Sequence, residues 1–392
     1  MRKFAIAPVR LVLLLWLAGL GAAAQFAKIS IILPELREFY PDATLSLGFL
    51  VSLVSVIGIF LGLFAGLIAT QIGFRKILIY ALLLGGITSV FQATMPSIPL
   101  LLTSRIFEGF SHLGIVVAAP TLIAQISTAR YQALAMTLWG TFFGVAFALV
   151  AWFGIPIVAK FGPPGLFLTH SFILVLTTIL LLFWLPEDIP KTGNAPRMTF
   201  SLVLKQHYLI YSSPTIAAPA LGWLFYTLTF VALLTILPDT VATQNRSLIA
   251  GFMPLAGIAS SMTLGVILLR YISAVQLIIC GFMLAIILSL MLLLVPGHPT
   301  LCIGLLGSLG LVQGASFAAI PQLNQQPENQ AYANGAMAQM GNIGNACGTP
   351  LLLSLLIYLD FGALIMAIIT CYILGIGLHL YLGRLRAAED TR

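Results

Sequence analysis

The sequence predicts an all-α integral membrane protein with twelve membrane-spanning helices in two pseudo-symmetric six-helix bundles. Three observations predict this fold class: the composition, the recurrence of long apolar segments, and one long polar interruption at mid-chain. Of the 392 residues, 60% are hydrophobic and 7% are charged, whereas a soluble domain carries about 25% charged residues. No soluble fold could cover so much apolar surface, so the lipid bilayer must do so.

Each apolar segment is long enough to cross a bilayer as a helix, which takes about 20 residues. Several segments contain Gly and Pro, which membrane helices tolerate because neighbouring helices satisfy the freed backbone groups. The twelve segments cover approximately residues 10–34, 45–70, 76–95, 98–125, 131–158, 164–185, 214–237, 247–269, 272–295, 299–321, 331–357 and 361–383.

The longest polar stretch separates the first six segments from the last six. We therefore predict an N-terminal half at 1–185, a cytoplasmic linker at 186–213 and a C-terminal half at 214–392. A short surface helix is expected at about 198–208 in the linker.

The first apolar segment also resembles a signal peptide, because Arg2 and Lys3 precede it and Ala22–Ala24 imitates a cleavage site. The apolar stretch continues through Ile32, which suits a spanning helix better. We therefore expect it to be the uncleaved first helix.

Basic residues are distributed unequally between the two sides of the membrane. With the N-terminus inside, thirteen fall on the cytoplasmic side and three on the other, which is a positive-inside bias that places both termini in the cytoplasm. The net charge of +7 is explained by this bias, and the scattered basic residues do not indicate a nucleic-acid partner. The three outer residues are Arg37, Lys160 and Arg246.

Enzymatic chemistry is not indicated. The chain lacks HExxH, GxSxG and P-loop motifs, and no His, Cys and Asp cluster has metal-ligand spacing. We expect no enzyme activity, no metal and no cofactor. The cysteines lie in apolar segments without CxxC spacing and are interpreted as packing residues; they are Cys280, Cys302, Cys347 and Cys371.

Three ionisable residues lie within the fourth apolar segment. Offsets of three, four and seven place Arg105, Glu108 and His112 on one helical face. Ionisable groups are costly in hydrocarbon, so they usually face a polar cavity and mark a substrate or proton pathway. This cluster indicates a protein that moves a solute.

The two halves of the chain contain similar segments. Glu108–Ser111 matches Gln313–Ser316, and Tyr131–Gly140 matches Tyr332–Gly341, at offsets of 205 and 201 residues. Such parallel repeats characterise one large transporter architecture.

The loop after the second segment carries a motif that resembles the major facilitator superfamily. Gly66, Gly73, Arg75 and Lys76 fit the signature, while Thr70 stands where the family has an aspartate. The resemblance implies a tight turn with basic residues that takes part in the conformational cycle. Because the aspartate belongs to a charge clasp in the family, we expect the clasp to be weakened or made differently here.

The fourth helix extends the resemblance, since Arg105–Gly109 is similar to a family pattern whose arginine is associated with proton coupling. Met136–Gly140 is similar to cyanate and nitroimidazole permease-like members. Drug antiporters have a glycine-proline motif in the fifth helix, where this chain has Gly144 and Val145.

The family architecture implies that helices 1, 4, 7 and 10 line a central cavity. In the first half we expect Glu108, Arg105 and His112 to serve proton coupling, and Lys28, Gln25 and Arg105 to bind substrate. A purely structural pairing of Arg105 with Glu108 is the alternative, and His112 has an interior packing alternative.

In the second half the substrate candidates are polar or aromatic. Interhelical hydrogen bonding and packing are the alternatives for them. The candidates are Tyr226, Gln313, Phe317, Gln339 and Asn342.

We therefore predict a secondary active transporter, monomeric and multi-pass in the cell (inner) membrane. It would move a small organic anion or carboxylate-bearing solute by alternating access, coupled to protons. A proton-driven drug efflux antiporter is one alternative, and a non-transporting receptor or channel is another.

Overall fold

The computed structural model describes residues 8–43, 46–187 and 207–390. These residues form helices and connecting turns, without a strand among them. Two compact units divide the chain, Met1–Asn194 and Ala195–Arg392. Residues 188–206, which hold most of the predicted linker and most of its predicted surface helix, lie outside the described residues.

Six helical crossings form the first unit. A short helix, Leu33–Phe39, follows the first crossing. Pro34 lies in its first turn, where the missing N–H costs nothing. The apolar segment predicted at 10–34 therefore contains two elements. The first four crossings are α1 at Pro8–Ser30, α2 at Ser46–Ser52 continued by Leu53–Ser55 and Val56–Ile72, α3 at Phe74–Ala93 and α4 at Ile98–Ile126.

The fifth and sixth crossings are joined without a long loop. The helical path runs through Ala129–Gly140, Phe142–Leu149, a π-helical segment Val150–Gly154 and then Ile155–Trp184. It breaks at Gly162, where φ is 69° and ψ is 177°, a conformation that favours glycine. We name the part before Gly162 α5 and the part after it α6.

The second unit also contains six crossings. Helical residues 207–212 precede the first of these crossings. The crossings are α7 at Ala217–Ile236, α8 at Arg246–Ser260 with the π-helical Ser261–Gly265 and Val266–Leu268, α9 at Ala274–Leu294, α10 at Pro299–Leu323, α11 at Pro327–Tyr358 and α12 at Phe361–Asp390.

The described residues contain ten helical stretches that are long and apolar enough to span a membrane. One of them, Phe142–Trp184, has 43 residues and includes the break at Gly162, so it supplies two crossings. The shorter apolar stretch Ser46–Gly62 begins α2 and supplies another. The described part of the chain thus has twelve crossings, and the predicted fold class is confirmed.

The turn between α2 and α3 depends on glycine. Gly73 has φ 103°, a left-handed region that favours glycine. Arg75 follows and donates from Nε to the Leu185 carbonyl at 3.0 Å and from Nη2 to the Leu182 carbonyl at 3.1 Å. Carbonyls at a helix C-terminus lack intrahelical partners and carry partial negative charge. Arg75 therefore ties the α2–α3 turn to the end of α6, while Lys76 lies in the first turn of α3 and Gly66 in α2.

Glycine also permits a close approach of two helices in the second unit. A Cβ at Gly348 of α11 would lie 2.0 Å from the Leu228 carbonyl oxygen of α7, and one at Gly344 would lie 2.1 Å from Thr227 Oγ1. Small residues let helix backbones approach in this way in membranes. These contacts place the polar residues of α11 beside α7.

Candidate functional site

The core of the first unit contains a buried ion cluster. Glu108 on α4 lies between two cations: Arg105 Nη1 binds its Oε2, and Lys28 Nζ from α1 lies 2.5 Å from its Oε1. None of the three side chains is exposed to solvent. The spacing of three residues puts Arg105 and Glu108 on one face of α4, and the packing of α1 on that face brings Lys28 to them.

The Arg105 guanidinium also binds the backbone of two other helices. Its Nε donates to the Leu50 carbonyl of α2 at 2.6 Å, and its Nη2 donates to the Gln25 carbonyl of α1 at 2.7 Å. Both acceptors, like the guanidinium, are buried. A planar guanidinium can serve several acceptors at once, so Arg105 joins three helices at one point.

Lys28 is bound on its other side by α3 and α6. Its Nζ donates to Ser89 Oγ at 2.5 Å and lies 3.2 Å from His170 Nδ1. The Ser89 hydroxyl is 2.7 Å from the same Nδ1, and His170 Nε2 is 2.9 Å from the Gly21 carbonyl oxygen. A carbonyl oxygen only accepts hydrogen bonds, so Nε2 carries the hydrogen and Nδ1 accepts from Ser89 or Lys28. This arrangement fits a neutral His170 ring.

One more polar residue, Gln92, binds the Glu108 carboxylate. Gln92 Nε2 on α3 donates to Glu108 Oε2 at 2.8 Å and approaches Ser104 Oγ at 3.0 Å. Charge-assisted bonds of this kind are stronger than neutral ones. Glu108 therefore has partners on three helices: Lys28 on α1, Gln92 on α3 and Arg105 on α4.

The cluster carries a formal charge of +1, because two cations surround one carboxylate and His170 is neutral. Burying a charge away from water is costly unless a partner of opposite sign is present. The arrangement is therefore suited to a second negative charge.

Two other predicted residues of the first half lie next to the cluster. Gln25 Nε2 donates to Ser111 Oγ at 2.8 Å, and its Oε1 is buried without a hydrogen-bond partner. His112 binds the Ala22 carbonyl through Nδ1 at 3.1 Å, and its ring meets Phe26 edge to face at 5.1 Å. The hydrogen on Nδ1 leaves Nε2 of a neutral ring as an acceptor.

Three of the five candidates in the second unit form one aromatic and polar group. Tyr226 stacks on Trp223 at 4.4 Å between ring centroids, Trp223 meets Phe317 at 5.3 Å, and the Tyr226 hydroxyl donates to Gln313 Oε1 at 3.3 Å. Phe317 is 51% exposed while Tyr226 is buried. Phe317 thus forms an exposed aromatic surface that packs on Trp223, which in turn stacks on the buried Tyr226.

The other two candidates have different partners. Gln339 Oε1 accepts from the Tyr211 hydroxyl at 2.7 Å, and Gln339 Nε2 lies 3.1 Å from His207 Nε2. Asn342 donates from Nδ2 to the Ala338 carbonyl in its own helix at 2.8 Å. Gln339 therefore holds helical residues 207–212, which precede α7, against α11.

Sequence reasoning did not select Ser89, Gln92 or His170. One signal was available for the first two, because residues three apart share a helical face and Ser89 and Gln92 are polar residues in an apolar helix. His170 is the one histidine of a mostly apolar helix, and only the packing of α6 on α1 gives it a charged partner. No group of three His, Cys, Asp or Glu side chains forms a metal site within the part of the chain that the structure describes.

Twelve crossings in two helical units, with ionised side chains enclosed in one of them, define a multi-pass membrane protein. A model of the Major Facilitator Superfamily matches residues 15–349. The chain belongs to this superfamily of membrane transporters.

Two individual proteins illustrate the similarity. The 4-hydroxybenzoate transporter PcaK of Pseudomonas aeruginosa is 26% identical over 176 residues, which are 45% of this chain and 38% of that protein. The match therefore spans well under half of the relative's length. A bacterial homolog to the human lysosomal transporter Spinster, solved in an inward-facing and unoccupied conformation, superposes with a TM-score of 0.74 at 12% identity, covering 96% of this chain and 97% of that one. This second similarity concerns the fold alone.

Proposed function

We propose that the protein is a proton-coupled secondary transporter of small organic anions, with carboxylate-bearing compounds as its substrates. The observation that carries this proposal is the buried cluster of Lys28, Arg105 and Glu108, with its net charge of +1. A substrate carboxylate would neutralise that charge. The two halves, 1–185 and 214–392 joined by the cytoplasmic linker 186–213, would move in alternating access, as a monomer in the inner membrane with both termini cytoplasmic.

The shared position of Glu108 supports a coupling mechanism. Glu108 binds Lys28 through one carboxylate oxygen and Arg105 through the other. A proton on Glu108 removes its charge and raises the charge of the cluster to +2. Lys28 then becomes available to a substrate carboxylate. Proton and anion would therefore bind together, as symport requires, and release of the anion would favour return of the Glu108 carboxylate to Lys28.

The residues around the cluster have supporting roles in this proposal. Arg105 and His112 would set the charge state of Glu108, while Gln25 would present its unpaired Oε1 as an acceptor for a hydroxyl or a protonated acid. Tyr226, Gln313 and Phe317 of the second unit are substrate-binding candidates in this proposal. Aromatic rings pack well on other rings, and the relative PcaK is a 4-hydroxybenzoate transporter, so aryl carboxylates are our first candidates.

The proposal is tested in proteoliposomes with a panel of aliphatic and aromatic carboxylates. Uptake of radiolabelled anion and internal pH are recorded together, with and without an imposed pH gradient. Glu108→Gln removes the titratable group at constant size, and Glu328→Gln alters an exposed carboxylate as the matched control.

Saturable uptake with proton flux, lost in Glu108→Gln and retained in Glu328→Gln, is the expected result. Anion uptake without proton flux, unchanged in Glu108→Gln, would overturn the coupling role and leave Glu108 as a structural partner of Arg105. No uptake of any anion, with proton flux on addition of lipophilic cations, would replace the proposal by drug efflux.

A further inference from the structure

The first unit contains a crevice that reaches the ion cluster from the side. Its volume is about 300 Å³, and α1, α5 and α6 form its walls. The lining is almost entirely apolar. Representative lining residues are Leu20 and Ala24 of α1, Phe153 and Ile157 of α5, and Leu166 and Ile173 of α6.

Two polar residues of the cluster, Lys28 and His170, line the same crevice. Lys28 Nζ also lies 5.4 Å from the centroid of the Phe167 ring, within the range of a cation–π contact. The crevice therefore combines an apolar body with one cationic end. Small-molecule sites have this character, mostly apolar with a few polar groups that fix orientation.

The other end of the crevice is open at the surface of the first unit. Three of its large apolar lining residues are exposed: Phe153 at 62%, Leu149 at 38% and Ile173 at 37%. The adjacent surface of α6 exposes further large apolar side chains, among them Phe172 and Phe183. In a membrane-spanning helix, such a surface faces hydrocarbon. The opening is thus reached from the bilayer.

The wall contributed by α5 has unusual geometry. Val150, Phe153 and Gly154 line the crevice, and all three belong to the π-helical segment Val150–Gly154. Single π-helical turns are rare and occur frequently at functional sites. Here the π-helical turn shapes the wall opposite Lys28.

We propose that this crevice binds a monocarboxylic acid with a single apolar body, which enters from the bilayer and directs its carboxylate to Lys28. The inference deepens the proposed function and rests on it for the choice of an anion. Charge supports this ligand class, because Lys28, Arg105 and Glu108 together carry a net charge of +1. Size supports it as well: about 300 Å³ is at the lower limit of ligand pockets, which suits one short chain or ring rather than a two-chain lipid.

The distribution of cysteines allows the crevice to be probed by thiol labelling. All four cysteines, Cys280, Cys302, Cys347 and Cys371, belong to the second unit. Replacing them with alanine leaves a background in which one introduced thiol reports on the crevice. Ile157→Cys places a thiol in the lining, and Phe172→Cys places a control thiol on the exposed surface of α6 outside the lining.

The experiment measures alkylation of each thiol by a membrane-soluble maleimide in liposomes without any ion gradient. Decanoate is the ligand, and decanol, which lacks the carboxylate, is its control. At ten times the dissociation constant, decanoate should slow labelling of Ile157→Cys about tenfold by mass action. Labelling of Phe172→Cys should not change, and decanol should protect Ile157→Cys much less. Thr169→Cys, also in the lining, replaces Ile157→Cys if that variant does not fold.

Equal protection by decanoate and decanol, or equal protection of the lining and control thiols, would overturn the inference. Two further variants test the orientation of the ligand. Lys28→Met should abolish the advantage of decanoate over decanol, and Ala24→Leu should fill the crevice and abolish protection altogether.

The result separates the inference from the proposed function. Protection in the crevice without carboxylate uptake would support the site and refute anion transport. Saturable uptake of carboxylates without any protection in the crevice would support anion transport and refute the site.

Discussion

Lys28 Nζ and Glu108 Oε1 lie 2.5 Å apart, and neither side chain is exposed. Removing one member of a buried pair is far more damaging than removing both, because the partner is left as an uncompensated charge. The pair is also asymmetric, since Glu108 has Arg105 as a second cation while Lys28 has Glu108 as its carboxylate.

This asymmetry predicts the outcome of a double-mutant cycle. Glu108→Gln leaves two buried cations with a charge of +2 and should lower the free energy of unfolding by about 3–5 kcal/mol. Lys28→Met should cost less, because the pair of Arg105 and Glu108 is retained. The double variant returns to +1 and should unfold at a higher temperature than Glu108→Gln alone. Thermal unfolding in detergent measures all four proteins, and strictly additive effects would contradict the coupling.

A second prediction concerns the space beside Gln25. A Cβ at Gly85 of α3 would lie 2.5 Å from Ser111 Oγ and 2.8 Å from Gln25 Nε2. Gly85→Ala should therefore displace the Gln25 side chain and cost about 1–3 kcal/mol, as overpacking does. Gly62→Ala is the matched control, because a Cβ there meets nothing within 4 Å. Unfolding midpoints that fall equally in the two variants would show that the Gly85 contact is unimportant.

The turn at Gly73 provides a third prediction. Its φ of 103° and ψ of 132° lie outside the αL region that residues with a Cβ can visit, so glycine is favoured there. Gly73→Ala should therefore lower the unfolding midpoint more than Gly62→Ala, which adds a Cβ where nothing lies within 4 Å. Arg75→Lys should also lower it, because an ammonium cannot hold the Leu182 and Leu185 carbonyls in the same planar geometry. A Gly73→Ala variant as stable as Gly62→Ala would exclude backbone strain as the reason for glycine here.

The contact between Tyr211 and Gln339 provides a fourth prediction, measured by hydrogen exchange of residues 207–212. Tyr211→Phe should speed exchange, because a hydrogen bond worth about 0.5–1.5 kcal/mol is lost. Burial raises the pKa of Tyr211 to about 12, so its hydroxyl donates throughout the neutral range. A free tyrosine ionises near pH 10, so docking should weaken as the pH rises above about 10.

The readout is the protection factor, which corrects for the intrinsic pH dependence of amide exchange. A protection factor that is unchanged in Tyr211→Phe, or that does not fall above about pH 10, would contradict this description of the contact.

The residues that sequence reasoning selected are those whose chemistry conflicts with their surroundings. Arg105 and Glu108 stand out in an apolar helix, and their spacing alone places them on one face. Helix number and type followed from composition and segment length, because bilayer thickness fixes both. The composition and spacing of each segment were sufficient to predict these features.

Other features depend on contacts between distant segments and could not be predicted locally. His170 lies 142 residues from Lys28, and nothing in its own helix indicates a charged partner. Gln339 was predicted from its helical face as a substrate contact, and it stays a prediction; its bonds to Tyr211 and His207 could not be predicted from its own helix. The crevice requires the relative positions of α1, α5 and α6, together with a π-helical turn that leaves no signal in the hydrophobic pattern.

The anchoring of Arg105 has a consequence for evolution. Two of its partners are backbone carbonyls, at Leu50 and Gln25, and every amino acid supplies a backbone carbonyl. Substitutions at positions 25 and 50 would leave these hydrogen bonds intact. Neither position would therefore show substitutions correlated with position 105. Among relatives, this three-helix junction would appear as one constrained arginine with no visible companions.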